Sequence, residues 1–110
     1  MTLNEYQKLA ARTISPGMTK TAKELHALHG MVAEIGEIHS LYQKIYQGHP
    51  MDAEHLKREL GDLLWFAAEI CTAKGWNMDD VAAMNIQKLI ARYPNGFEAE
   101  RSLHREAGDT

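Results

Sequence analysis

The sequence has few cysteines and prolines, and it lacks a long apolar run. It contains one cysteine, Cys71, three prolines and no run that approaches the ~20 apolar residues of a membrane span. One cysteine cannot form a disulfide within the chain, and its apolar setting predicts a small buried residue. The N-terminus lacks the apolar core of a signal peptide, so we expect a cytoplasmic protein.

The chain also has little net charge. The 110 residues carry a formal net charge of -3 with neutral histidines, within an ordinary soluble composition. Nucleic-acid binders are usually basic, so we expect no nucleic-acid partner, and the absence of a long apolar run predicts no membrane partner. An anionic substrate would not be held by bulk charge. It would need a bound metal or a local group of cations.

No strand-like alternation, internal repeat or low-complexity tract is present, and helical periodicity covers the chain. The three prolines stand in the breaks between helical segments. The sequence predicts an all-α, four-helix bundle-like domain over residues 1–97 and a polar tail over residues 98–110, either a short helix or disordered. The predicted helices run from about Leu3 to Arg12, from a cap at Thr19 or Thr21 to about Gly48, from Ala53 to Lys74 after a cap at Asp52, and from a cap at Asn77 to about Tyr93.

The second predicted helix is apolar around roughly half of its circumference. A helix of this kind is covered on more than one side, and in so short a chain a second copy is the natural cover. We therefore expect a homodimer or a homotetramer. One apolar set is Leu25, Leu28, Val32, Ile35 and Tyr42, and Met31, Ile38, Leu41 and Ile45 widen it.

Two pairs of carboxylates lie inside the second and third predicted helices. Glu34 and Glu37 stand three residues apart, as do Glu59 and Asp62, so each pair occupies one side of its helix. A carboxylate within an apolar stripe, as Glu59 is, is costly unless it is paired or coordinated. Four acids on two packed helices therefore predict a hard divalent cation such as Mg²⁺ or Mn²⁺. The alternative is four solvated residues with local lysine partners.

A glycine precedes the second acid of each pair. Gly36 and Gly61 each cost about 1 kcal/mol relative to alanine inside a helix. We interpret both as positions that let the two helices approach closely, so that the acids reach one ion. The alternative is close packing without a site.

Three sequence blocks, taken in order, resemble the MazG-like nucleotide pyrophosphohydrolases of the all-α NTP pyrophosphatase superfamily. They are Glu-x-Gly-Glu, then Glu-Leu-Gly-Asp-Leu-Leu-Trp, then Asn-Ile-x-Lys-Leu-x-x-Arg-Tyr-Pro-x-Gly-Phe. The resemblance extends from about Asn4 to Arg105. It implies hydrolysis of a nucleoside triphosphate to the monophosphate and pyrophosphate.

The resemblance also implies roles for the four acids. Glu34, Glu37, Glu59 and Asp62 match the family's Mg²⁺ ligands, with Mn²⁺ as a substitute. Because a carboxylate that is not fully committed to the metal can take a proton, we expect Glu34 or Glu37 to act as the general base. Many members carry a further Glu directly before the first acid, where this chain has Ala33. The number of metal ions therefore stays open.

The third block supplies candidate groups for binding the phosphates. Asn85, Lys88 and Arg92 fall on one side of the fourth predicted helix, and family members share the Asn-x-x-Lys spacing. The resemblance therefore favours a substrate-binding role over a solvated polar face. Trp65 is interpreted as an interface or core residue. The six histidines are interpreted as structural or solvated, because none has zinc-site spacing with partners.

Two other functions stay open at this point. Phosphoribosyl-ATP pyrophosphohydrolases have a similar fold and acid pattern. The third sequence block fits the MazG-like nucleotide pyrophosphohydrolases better. A helical interaction module without catalysis would show no metal affinity.

Overall fold

All regular structure in the protein is helical. The computed structural model describes residues 1–110. This confirms the all-α fold class and the four predicted helices, and the polar tail adds a short fifth helix. None of the helices has the length and apolar character needed to cross a membrane. The helices are α1 (Leu3–Ala11), α2 (Lys20–Tyr46), α3 (Ala53–Lys74), α4 (Met78–Arg92) and α5 (Ala99–Leu103).

The ends of the helices follow capping residues in the sequence. The side chains of Thr2, Thr19, Asp52 and Asn77 each accept a hydrogen bond from the backbone N–H three residues further on, at 3.0–3.1 Å. Each bond satisfies a donor that the first turn of a helix leaves unpaired. Gly75 ends α3 with φ 73°, a left-handed conformation that glycine adopts without steric cost. Of the two predicted caps for α2, Thr19 is the one used.

Helices α2 and α3 form an antiparallel hairpin that contains most of the packing in the chain. The ion pair Glu24–Lys74 and the pair His26–Glu69 show this direction, because residue numbers fall along α3 as they rise along α2. Helix α1 packs on α3, and α4 packs on α1. The hairpin therefore fixes which residues of α2 and α3 face each other.

A small core joins α1, α3 and the start of α4. Trp65 packs against it and donates its indole N–H to the carbonyl of Ala10 and the hydroxyl of Thr13, at 3.2 and 2.9 Å. Trp65 is thus a core residue within the chain, as the sequence allowed. Cys71 is buried, which confirms its predicted setting. The buried members of this core are Ala10, Ala68, Cys71 and Met78.

The first turn of α4 is held by side chains of α1. The Asn4 side chain accepts a hydrogen bond from the backbone N–H of Asp79 at 2.9 Å, and the Gln7 side chain accepts one from Met78 at 2.8 Å. Asp79 in turn accepts a hydrogen bond from the backbone N–H of Asn4 at 3.2 Å. The rest of α4 is mostly exposed. This helix is therefore anchored at its N-terminal end.

One charged residue is fully buried in the hairpin. Glu69 is 1% exposed, and both of its carboxylate oxygens lie within hydrogen-bond distance of His26 Nδ1, at 2.7 and 3.0 Å. The His26 ring also meets the edges of Trp65 and Phe66. A buried carboxylate is tolerated when a partner of this kind is present. His26 therefore has a structural role, in line with the prediction for the histidines.

The close approach of α2 and α3 occurs at Gly30. A Cβ atom at Gly30 would overlap the ring of Phe66, whereas a Cβ atom at Gly36 or Gly61 would meet nothing within 4 Å. The interpretation of Gly36 and Gly61 as close-packing positions within the chain is therefore wrong. A glycine is required at residue 30 because the ring of Phe66 occupies the space of a side chain there. No such ring faces Gly36 or Gly61.

We expect Gly30→Ala to lower the free energy of unfolding by about 1–3 kcal/mol, because the added methyl group overlaps the Phe66 ring. Gly36→Ala is the matched control. It adds the same methyl group to the same helix in open space and should be neutral or stabilising. Urea denaturation at equal protein concentration measures both. Equal effects of the two substitutions would contradict the packing role of Gly30.

Candidate metal centre

Three carboxylates meet between α2 and α3. One carboxylate oxygen from each of Glu34, Glu59 and Asp62 lies within 4.8 Å of the other two. Glu34 comes from α2, and the other two stand one turn apart on α3. The antiparallel hairpin thus joins three of the four predicted acids in one group, called here the acid cluster. Glu37 is exposed and lies outside this group.

Glu34 is the acid most perturbed by this arrangement. Its pKa rises from 4.5 to about 7, first through a hydrogen bond to Glu59, then through burial, and then through the negative charges of Glu59, Asp62 and Glu37. The hydrogen bond to Glu34, followed by one from His55, lowers the pKa of Glu59. Below about pH 7 the pair Glu34–Glu59 therefore retains one proton, which lies in the hydrogen bond between the two carboxyl groups.

The acid cluster fits a hard divalent cation. Glu34 Oε2 is buried and receives no hydrogen bond from any N–H or hydroxyl group of the protein, so the carboxyl group of Glu34 interacts only with that of Glu59. A buried acceptor without such a donor is costly, and coordination to a cation would satisfy it. Carboxylate oxygens are also the ligands that Mg²⁺ and Mn²⁺ prefer. A cation in this position would replace the proton on Glu34 and relieve the repulsion among the three acids.

Two further residues border the acid cluster, and the sequence analysis did not single them out. His55 Nε2 lies 3.0 Å from Glu59 Oε1, one turn earlier on α3. The four-residue spacing of His55 and Glu59 was a usable signal, because such residues face each other on a helix. Tyr6 of α1 has a pKa raised by burial and by the charge of Asp62. No local pattern links Tyr6 to Asp62, because only the packing of α1 on α3 brings them together.

The candidate phosphate-binding residues lie elsewhere in the chain. Asn85 and Lys88 are exposed on α4, whose packing within the chain is against α1. Arg92 forms two hydrogen bonds to Asp109, from Nε at 2.8 Å and from Nη2 at 2.6 Å. The prediction placed these side chains and the acids in one site, and a single chain does not bring them together. The reason is that α4 is anchored through its first turn, whereas these residues follow later in the helix.

A comparison with protein-family models covers the helices that carry the candidate site. A family model, the MazG nucleotide pyrophosphohydrolase domain, matches residues 22–97, which is well over half of the chain. The matched range includes all the acids of the cluster, Glu37 and the three candidate residues of α4. Neither a curated protein nor a solved structure matches the chain.

The raised pKa of Glu34 predicts how stability depends on pH without metal. Its stabilising contribution is complete below the ordinary pKa of 4.5 and is lost as the pH rises through about 7. The lowered pKa of Glu59 acts in the other direction and at lower pH, since its contribution is lost as the pH falls below 4.5. In EDTA, the melting temperature should therefore decrease between about pH 5 and about pH 8.

Thermal melts over this pH range, with EDTA or with Mg²⁺, test the prediction. Mg²⁺ should raise the melting temperature most at the alkaline end, where no proton occupies the cluster. Glu34→Gln should flatten the decrease, because glutamine does not titrate. Glu54→Gln, at an exposed position of α3, is the control and should leave the pH dependence unchanged. An identical decrease in Glu34→Gln would contradict the assignment.

Proposed function

Because this chain belongs to the MazG nucleotide pyrophosphohydrolase family, we propose that it cleaves NTPs or dNTPs to the monophosphate and pyrophosphate in a Mg²⁺-dependent reaction. One observation carries the proposal. Three carboxylates from two helices converge within 4.8 Å, and one of their oxygens is buried without an N–H or hydroxyl donor. Such a group suits a divalent cation, and phosphoryl transfer requires neutralisation of the charge on the phosphates.

In this proposal Glu34, Glu59 and Asp62 hold the cation, with Glu37 as a fourth ligand one turn along α2. When bound, Mg²⁺ would neutralise the phosphate oxygens and make a water molecule more acidic. Glu34 or Glu37 takes the proton from the attacking water. Both residues lie on the same side of α2, beside the position proposed for the cation, which supports either as the proton acceptor. His55 holds Glu59 in position through its hydrogen bond.

Asn85, Lys88 and Arg92 remain the proposed phosphate-binding groups. Their helix packs against α1, so one chain does not present them to the acid cluster. We propose that α4 comes from a second copy of the chain when both groups act on one substrate molecule. The proposed function therefore includes a homodimer or a homotetramer.

The surface of the chain supports this assembly. It exposes 8046 Å², whereas a compact monomer of 12.4 kDa exposes about 6,100 Å². Its radius of gyration is 17.3 Å, against about 13 Å for a compact domain of this length. Covering an excess of about 1,900 Å² on each of two chains would bury an area typical of obligate oligomers.

The exposed area includes one complete face of α2. The predicted apolar arc divides in the structure into two parts. In the set containing Leu41, that residue is buried, Met31 and Ile38 are half-buried and Ile45 is exposed, whereas every member of the set containing Val32 is exposed. An apolar stripe of this length on a helix requires a cover. The exposed set is Leu25, Leu28, Val32, Ile35 and Tyr42.

We expect light scattering during size-exclusion chromatography to give the mass of two or four chains. Val32→Glu should shift the protein toward the monomer, because it places a charge in the exposed apolar stripe, where Val32 is 73% exposed. Lys44→Glu, at an exposed position on another side of α2, is the control and should keep the assembly. A wild-type monomer at micromolar concentration would refute the proposed assembly.

Substitutions in the acid cluster test the reaction itself. Glu59→Gln and Asp62→Asn should each lower turnover at least about a hundredfold, because each removes a negative charge from the metal ligands. Glu54→Gln is the control on the same helix and should retain activity, since Glu54 pairs only with the exposed Lys57. The measurement is product analysis with a panel of NTPs and dNTPs in Mg²⁺, Mn²⁺ or EDTA.

Monophosphate and pyrophosphate, formed with Mg²⁺ and absent in EDTA, are the expected products. Near wild-type activity in both acid variants would refute the metal assignment. If folded protein turned over no triphosphate, phosphoribosyl-ATP would be the next substrate to test. Inactivity toward that compound as well would favour a helical interaction module.

A further inference from the structure

A second polar site lies at the far end of α4. The end of this helix and the segment that follows it enclose a cavity of about 250 Å³, called here the C-terminal cleft. Lys88 and Arg92 line it from α4, and Arg101 and Arg105 line it from the C-terminal segment. These four residues are a third of the twelve lysines and arginines in a chain whose net charge is -3. The cleft is thus a local concentration of positive charge.

One side of this cleft already binds an anionic group. The carboxylate of Asp109 receives two hydrogen bonds from Arg92, at 2.6 and 2.8 Å, and both side chains are largely buried. The hydrogen bond from Arg92, and then the charges of Arg92, Arg105 and Lys88, lower the pKa of Asp109. Three cations of the cleft therefore act on a single carboxylate.

The shape of this contact indicates the class of ligand. The guanidinium of Arg92 presents two parallel donors, a geometry that suits carboxylate and phosphate oxygens equally. Its position is also set by Tyr93, whose ring centre lies 5.9 Å from the guanidinium carbon. Asp109 supplies one negative charge, and Glu106 is the other acid of the lining, so four permanent cations exceed two anions. A ligand with several charged oxygens would use cations that Asp109 leaves without a close partner.

We propose that the C-terminal cleft binds a phosphate-chain anion, either inorganic pyrophosphate or the triphosphate of a nucleotide, and that this anion displaces Asp109 from Arg92. The proposal builds on the proposed function, because Lys88 and Arg92 are also its phosphate-binding residues. Its new residues are Arg101, Arg105 and Asp109, which lie beyond the range matched by the family model. Asp109 then acts as an internal competitor for the site.

Calorimetric titration of the full-length chain with inorganic pyrophosphate in EDTA tests the proposal. EDTA prevents the acid cluster from binding the anion through a metal. The wild type should bind, and Arg101→Gln and Arg105→Gln should each weaken binding about tenfold, because each loses a charged donor. Asp109→Asn should tighten binding about tenfold, since the competing charge is gone.

Lys57→Gln is the control, since this exposed lysine of α3 pairs with Glu54 outside the cleft. It should bind pyrophosphate as the wild type does. Absence of binding by both the wild type and Asp109→Asn would overturn the proposal. An equal loss of affinity in Lys57→Gln and Arg105→Gln would also overturn it, because binding would then depend only on overall charge. Weaker binding by Asp109→Asn would refute displacement of that carboxylate.

A second titration with a nucleoside triphosphate in EDTA distinguishes the two sources of the anion. Tighter binding than pyrophosphate, with mutual competition, assigns the cleft to a nucleotide. Equal or weaker binding assigns it to the free anion. Neither titration contains a metal or measures turnover. Failure of hydrolysis and failure of anion binding are therefore separate results.

Discussion

The repulsion among Glu34, Glu59 and Asp62 is the constraint around which this chain is built. Three carboxylates within 4.8 Å repel one another unless a proton or a cation lies among them. The antiparallel packing of α2 on α3 keeps them together, because the pairing of His26 with the buried Glu69 and the contact at Gly30 fix the register of the two helices. The packing therefore holds the backbone positions of the three acids close together, which is the arrangement that the proposed cation site requires.

Features set by residues close together in the sequence, such as helix caps, could be predicted. Features set by the side chain on an opposite helix could not. The caps at Asp52 and Asn77 lie beside the N–H groups they satisfy, so the boundaries of α3 and α4 follow from a few neighbouring residues. The acid pairs followed from helical periodicity in the same way. The role of a glycine depends on the side chain opposite, and no local pattern distinguishes Gly30, which faces Phe66, from Gly36.

The difference between local patterns and packing also explains which predicted site residues come together in the structure. Glu34 and Glu37 have similar neighbours in sequence, yet only Glu34 faces α3 closely enough to join the cluster. The position of Arg92 depends on Asp109, which lies seventeen residues later, in the polar tail that the sequence predicted to be either a short helix or disordered. A prediction from residue spacing places side chains on a helix face. It does not determine what that face meets.

The separation of opposite charges within one chain has a physical advantage for the proposed chemistry. If the cations of the C-terminal cleft formed direct ion pairs with the acid cluster, the acids would have less capacity to bind a metal. The chain instead pairs Arg92 with Asp109 and leaves Glu34 Oε2 without an N–H or hydroxyl donor. An anionic substrate would be repelled by the acids alone. In the proposed function a bound cation would remove this repulsion at the acids, while the cations of the C-terminal cleft attract the phosphates independently of the metal.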